Sequence, residues 1–318
     1  MRKLLAILTA LMLGHLLPAQ NEVVVVNVLG KVSYFAPLQK RAQPVYPGQR
    51  LALDGRLRGQ AGASVKLLYR GQAFTFEGGK MRELRELEQA AKASSRLGFF
   101  SRFWEFLYGS VKQSADEKRL EEHHRQYMEA AYAGIKGFAG RQDYPIRSPL
   151  LYAGKLSDAL VTFQWSGMPP DGAPRFQIRR SGSESALLSA SVRDSSFSVH
   201  LAQLQLQPAT EYIWQILPAE DTATGPRSAA TLFTYDPGAA AEVWQELQRY
   251  HEYQHSTPVE QALMYAYALE DAGFWYDAAQ QYAAASATYA RNQLVRDAQA
   301  AFLARMDLLQ EAQTLIKP

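Results

Sequence analysis

The stretch His251-Glu252-Tyr253-Gln254-His255 is a literal H-E-x-x-H. On a helix, His residues at i and i+4 share a face and can both ligate zinc, and the Glu between them can act as general base on a metal-bound water. The chemistry would be metal-assisted hydrolysis. It needs a third ligand. The carboxylates next along the chain are Glu260, Glu270 and Asp271, and none stands at a spacing typical of such a site. Pro258 puts the second His near a helix end, and no His follows His255, which excludes the H-E-x-x-H-x-x-G-x-x-H form. The competing reading is a surface helix whose His and Glu side chains are solvated or form i,i+4 pairs. The motif alone does not make a metal site. His251 and His255 are the candidate ligands for the hydrolase alternative.

Other residue groups suggest less chemistry. His123-His124 beside Glu121-Glu122 reads as a charged, solvated helix face. His200 alternates with Val199 and Leu201, so it points away from their face of a strand. There is no G-x-S-x-G elbow, no phosphate-binding glycine loop and no dinucleotide fingerprint, so no catalytic residue and no cofactor is expected.

Two aromatic groups are candidate interaction surfaces. In 97–111, Phe100, Phe103, Trp104, Leu107 and Val111 fall on one helical face, and Phe99 and Phe106 widen it. This stripe either packs on a neighbouring domain or meets a membrane surface or a partner. Phe99, Phe103, Trp104 and Leu107 are its candidates. Near the C-terminus the candidates are Trp275, Tyr276 and Tyr282.

The elements that carry these residues are bounded by composition. A chain of 318 residues, 47% hydrophobic and 20% charged, has room for two or three domains with real cores. The absence of cysteine excludes disulfides, an N-terminal lipid anchor on cysteine and thiolate metal sites. The formal charge of +3 falls to +1 once Arg2 and Lys3 leave with a leader, which argues against a nucleic-acid partner. That leader is expected over 1–20: a positive start, an apolar run from Leu4 to Leu13, then a cleavage region ending at Ala19 or Gln20.

After it, Val23–Val28 is a nearly pure β-branched run, followed by short alternating strands separated by Pro47-Gly48, Asp54-Gly55 and Arg70-Gly71 turns. Residues 21–80 resemble a FecR-like domain, on Gly30-Lys31-Val32, Pro47-Gly48-Gln49-Arg50-Leu51, Leu57, Ala63-Ser64-Val65-Lys66-Leu67, and Gly71 before Phe74 and Phe76. The resemblance implies a non-catalytic periplasmic β module. Residues 81–134 read as a helical hairpin turning near Gly109, and 135–148 as a linker.

From Leu150, strands recur about every ten residues, which suggests a sandwich with Trp165 and Trp214 in its core. Residues 149–236 resemble a fibronectin type III or immunoglobulin-like domain. The run Leu206-Gln207-Pro208-Ala209-Thr210-Glu211-Tyr212-Ile213-Trp214 matches the place where that family puts its tyrosine corner. Residues 237–318 read as four helices, roughly 239–255, 259–272, 275–289 and 292–315. The spacing of Gly273, Trp275, Ala278, Tyr282 and Ala285 resembles the second half of a tetratricopeptide repeat.

The expected fold class is therefore multi-domain α+β: a small all-β domain, a helical hairpin, a β-sandwich and a helical repeat-like tail. The expected role is an exported, non-catalytic envelope protein of the periplasm or outer membrane that binds a protein partner. The alternatives are the zinc-dependent hydrolase and a peripheral membrane protein docking through 97–111.

Overall fold

The structure is a computed structural model, and it describes residues 22–39, 41–93, 98–134, 144–167, 174–219 and 225–317. The expected leader, residues 135–143 of the expected linker and the Pro169–Gly172 turn lie outside the described residues. The chain is α+β, with several antiparallel sheets and nine helices among the described residues. It divides into two compact units between Lys112 and Gln113.

The first unit has eight strands: β1 (Glu22–Leu29), β2 (Val32–Phe35), β3 (Gln43–Pro44), β4 (Arg50–Ala52), β5 (Arg56–Gly59), β6 (Ser64–Tyr69), β7 (Gln72–Glu77) and β8 (Met81–Glu83). They form two antiparallel sheets, ordered β4-β1-β6-β7 and β3-β2-β5-β8. Alternate residues of both sheets meet in one core: Val23, Val25, Val65 and Leu67 from one, Val32, Tyr34 and Leu57 from the other. Met81–Glu83, expected to begin a helix, is instead an edge strand paired with β5. Leu84 and Leu87 then enter the core as α1 (Glu86–Ala93) begins.

The opposite face of the first sheet carries Val24, Lys66 and Leu68, and α2 (Phe99–Gln113) lies on it. Arg50 Nη2 donates to the Val111 carbonyl at 2.6 Å, and the Tyr108 hydroxyl donates to the Glu22 carbonyl at 3.4 Å. Lys66 Nζ sits 5.6 Å from the centre of the Trp104 ring. The helix comes so close to the β6–β7 turn that a Cβ on Gly71 would fall 2.9 Å from Glu105 Cα, and Gly71 also has φ +75°. Phe103, Leu107 and Val111 are buried, so the stripe's centre belongs to the packed core.

The second unit opens with α3 (Glu117–Gly134). The two helices expected to pair as a hairpin thus fall in different units. Gly109 lies inside α2, and the break comes at Ser114–Asp116. Seven strands follow: β9 (Gly154–Leu156), β10 (Leu160–Gln164), β11 (Arg175–Arg180), β12 (Ala186–Ser191), β13 (Ser196–His200), β14 (Glu211–Leu217) and β15 (Thr231–Tyr235). They form a sheet ordered β12-β11-β14-β15-β9 and a two-stranded sheet β10-β13, and β9 alone pairs in parallel. The two sheets meet through rings: Phe163 on β10 lies 5.2 Å from Phe176 and 5.0 Å from Trp214, centre to centre. Trp165 and Trp214 are both core, as their alternation predicts. The buried Tyr212 accepts the Gln207 N–H at 2.7 Å, a bond that ties the turn before β14 back onto the strand. The sandwich begins before Pro149, since Ile146 is buried and bridges to Ser228.

Six helices complete the unit: α4 (Ala239–Leu247), α5 (His251–Gln254), α6 (Pro258–Asp271), α7 (Trp275–Thr288), α8 (Gln293–Arg305) and α9 (Leu309–Ile316). The single helix expected over 239–255 is broken after Leu247, and the one over 292–315 is broken at Asp307, whose φ is +64°. Thr257 and Glu260 cap α6 reciprocally, with Pro258 in the first turn. Small residues let the last helices approach one another: Ala300, Ala304 and Ala312 share a cluster with Leu120 of α3.

Between α6, α7 and α8 lies a buried ion pair. Arg305 Nε and Nη2 donate to the two Glu270 oxygens at 2.8 and 3.1 Å, and the Tyr282 hydroxyl donates to Glu270 at 3.1 Å. Both charged side chains are about nine-tenths buried. Removing one partner strands the other's charge out of water, so Glu270→Ala should cost roughly 3–5 kcal/mol in chemical denaturation. Glu270→Leu combined with Arg305→Met should recover most of that loss. A single variant with unchanged stability would show that the pair is not dry.

Candidate functional site

One short segment organises the second unit. Residues 150–158 join the sandwich to the helices by bonds on both sides. Leu150 N–H donates to the Met306 carbonyl at 3.0 Å, and Lys155 N–H donates to the Gly273 carbonyl at 2.9 Å. On the sandwich side, β9 pairs with β15, and Asp236 N–H donates to the Leu156 carbonyl at 2.9 Å. The approach of β9 to the α6–α7 turn needs glycine. Gly154 has φ +85°, and a Cβ there would fall 2.8 Å from the Gly273 carbonyl oxygen.

Tyr152 fills the joint. Its ring lies 5.1 Å from Phe163, 5.5 Å from Trp214 and 5.8 Å from Tyr276. Its hydroxyl donates to the Thr162 carbonyl at 2.9 Å, while Thr162 N–H donates to the Tyr276 hydroxyl at 3.3 Å. Burial pushes the Tyr152 phenol well above its ordinary range, and Tyr276 adds to the effect. The three C-terminal interaction candidates are therefore used within the unit. Trp275 packs beside Gly154, Tyr276 closes the ring stack, and Tyr282 is core against Phe302 at 4.8 Å.

Beside this joint is a pocket of about 340 Å³. Ser157 and Asp158 follow β9 on one side, Gly238 and Ala241 come from the start of α4, and Tyr265, Asp277 and Gln280 come from α6 and α7. Ser157 Oγ accepts the Ala240 N–H at 3.3 Å, and Gln280 Nε2 donates to Asp158 at 2.6 Å. Asp277, in the first turn of α7, is only 7% exposed. It accepts the Ser157 N–H and its own, yet its Oδ2 has no hydrogen-bond partner. Burial first, then the Asp158 charge, pushes its carboxyl up to about 6. The same two acids help raise the Tyr265 and Tyr276 hydroxyls, after burial.

The H-E-x-x-H stretch is differently placed. His251 starts the single turn of α5, and His255 lies just past its end. Both are exposed, with ring centres 3.9 Å apart and stacked, and one ring nitrogen of His255 (Nδ1) lies 2.8 Å from the His251 carbonyl. Tyr253 between them is buried against Trp244. Among the described residues, no group of three or more His, Cys, Asp or Glu could hold a metal ion. In the aromatic helix, Phe103 and Leu107 are buried, whereas Phe99 and Trp104 are half-buried.

His123 and His124 correct the reading of a solvated helix face. His124 Nε2 lies 3.0 Å from Asp307. His123 is pushed down to about 4 by burial and by the nearby Arg305 charge. His200 is exposed, as its alternation predicts. No family model and no curated protein matches the chain.

Asp158, Asp277 and Gln280 were not among the residues singled out by type and spacing. Asp277 lies within the aromatic run of 273–285, but Asp158 and Gln280 are 122 positions apart and meet only through the fold.

Two measurements follow from this geometry. Asp277 titrates higher when folded than its ordinary 3.8, so the folded state holds the proton more tightly. Its contribution to stability is greatest below about pH 4 and falls as the pH rises through about 6. Asp277→Asn should therefore melt a few degrees above the parent at pH 7.5 but level with it at pH 4. A gap independent of pH would contradict the assignment. Zinc in the purified protein should be far below one equivalent per chain, and His251→Ala and His255→Ala should leave the melting midpoint unchanged. One tight equivalent, lost in both variants, would establish a metal centre completed by other residues.

Proposed function

We propose that the chain is an exported, non-catalytic binding protein of the cell envelope. The observation that carries this reading is the joint at residues 150–158, which locks sandwich and helices together through backbone bonds and the Tyr152 ring stack. Such a body presents fixed surfaces, and the aromatic side chains Trp275, Tyr276 and Tyr282 are used in holding it together. The stacked, exposed pair His251–His255 at a single helical turn offers no comparable support for hydrolysis.

The finer assignments belong to the same reading. A FecR-like first domain is supported by two small antiparallel sheets sharing one core. A fibronectin type III-like domain is supported by the two facing sheets and the Tyr212–Gln207 bond. A tetratricopeptide-like tail is supported by the packing of α6 on α7, with Ala266, Ala278 and Tyr282 buried. Export rests on the leader-like residues 1–20. None of the described helices is long and apolar enough to cross a membrane.

Two results test the proposal together. Mass spectrometry of the protein from its native host should give a chain beginning after Ala19 or Gln20. A photo-crosslinking residue at Leu187, exposed on the edge strand β12, should capture a discrete envelope protein in living cells. An unprocessed chain, or capture of nothing in the envelope from several exposed positions, would count against it.

A further inference from the structure

We infer that the edge of β12 is a docking site for an extended, acidic segment of a partner protein, which adds to the sheet as a further strand. Backbone alternation shows what the edge offers. Val192 N–H donates to the Pro174 carbonyl at 2.9 Å, on the β11 side. In an antiparallel pair, residues bonded to the neighbour alternate with residues turned away from it. Ala190 and Leu188, opposite Phe176 and Ile178, therefore also turn their backbone groups to β11, and Ser191 and Ser189 turn theirs outward. β12 has a strand on one side only, so these outward N–H and C=O groups are a template for another.

Elsewhere the unit covers its edges. Lys155 of β9 is bonded to Gly273, and Thr162 of β10 is bonded to the Tyr152 and Tyr276 hydroxyls. β12 lacks the usual guards, since Ala186–Ser191 contains no charge and no proline. Its bulge sits at the start, where the register shifts between Ile178 and Arg179, and Leu188–Ser191 stay in regular register. β13 likewise has a single neighbour, and what separates β12 from it is the charge alongside.

That charge selects the kind of partner. The outer face of β11 carries Arg175, Gln177 and Arg179, which line an open recess of about 500 Å³. Across the sheet, Arg175 stands opposite Ser191 and Leu217, and Arg179 stands opposite Ala186 and Ile213, so no acid faces either arginine from these positions. Arg179 Nη1 donates to the Ser183 carbonyl at 2.9 Å and Arg175 Nε to the Pro218 carbonyl at 3.4 Å, neutral groups that hold both side chains on this face. Glu184 is the one acid among the lining residues, against two arginines. Ser189 and Ser191 are short, so a glutamate on an added strand can reach over them to the guanidinium groups. Outward side chains recur at every second residue, so the fit is to alternating acids. A second copy of β12 would bring no acid, and a basic segment would meet like charge.

The inference gives a partner chemistry to the second unit and rests on its reading as a binding body. The test uses the full mature chain and the fluorescence anisotropy of a labelled short peptide that alternates glutamate and valine. The same peptide with lysine for glutamate tests the charge, and one N-methylated along its backbone tests the strand pairing. The glutamate peptide should bind and the other two should not. Arg175→Gln combined with Arg179→Gln should weaken binding on the order of tenfold. Ser189→Pro removes an outward N–H and no bond to β11, so it should abolish binding, with melting curves showing both variants folded. If Ser189→Pro does not fold, the N-methylated peptide makes the same test on the parent chain. Equal binding of the lysine peptide, equal binding of the N-methylated peptide, binding unchanged in the arginine variant, or no binding of the glutamate peptide would each overturn the proposal. A dimer in sedimentation that Ser189→Pro turns into a monomer would assign the edge to a second copy and overturn it as well. If the glutamate peptide fails while Leu187 still crosslinks an envelope protein, the acidic chemistry is wrong and the binding role stands.

Discussion

The backbone approach between Gly154 and Gly273 is the constraint on which the second unit turns. A β-strand and a helix–helix turn seldom come within hydrogen-bonding distance, because side chains hold them apart. Here the absence of a Cβ at Gly154 lets Lys155 N–H reach the Gly273 carbonyl while β9 still pairs with β15. That contact fixes Tyr152 in the angle between sheet and helices. It also brings Ser157 and Asp158 to the mouth of α7, where Asp277 and Gln280 stand. The pocket is thus a by-product of the joint's geometry.

Electrostatics in this unit take two opposite forms. Around Glu270 the buried charge is fully answered: Arg305 provides two donors and Tyr282 a third. Around Asp277 it is not, and the second acid nearby makes matters worse. The first arrangement holds three helices in register. The second leaves a carboxyl that burial and a neighbouring acid keep protonated to a higher pH than usual. The two sites lie on the same helices, so the difference comes from which neighbours the fold supplies.

Much of the architecture was legible in the residue pattern. Period-two alternation located the strands that bear Phe163, Trp214 and Val65, and a run ending in Tyr212 located the corner bond to Gln207. Glycine and proline marked the turns. Boundaries failed where local preference was overruled by packing. Met81–Glu83 has helix-forming residues yet completes a sheet edge, because β5 would otherwise lack a neighbour on that side. Gly109 looked like a hinge but stays helical because Phe103, Leu107 and Val111 hold the helix against its sheet on both sides of it. The candidate site was scarcely legible at all. Its two acids have no shared spacing, and the most suggestive motif, His251 to His255, brings its two rings together with no third ligand group beside them among the described residues.

The joint also bears on how this half of the chain could be inherited. Recombination that moves sandwiches and helical repeats between genes requires pieces that keep their shape when cut apart. A cut near Asp236 would separate Tyr152 from Tyr276 and deprive Gly273 of its strand partner. The sandwich and the helices beyond it are therefore one unit of exchange, and relatives of this region should retain or lose the two together.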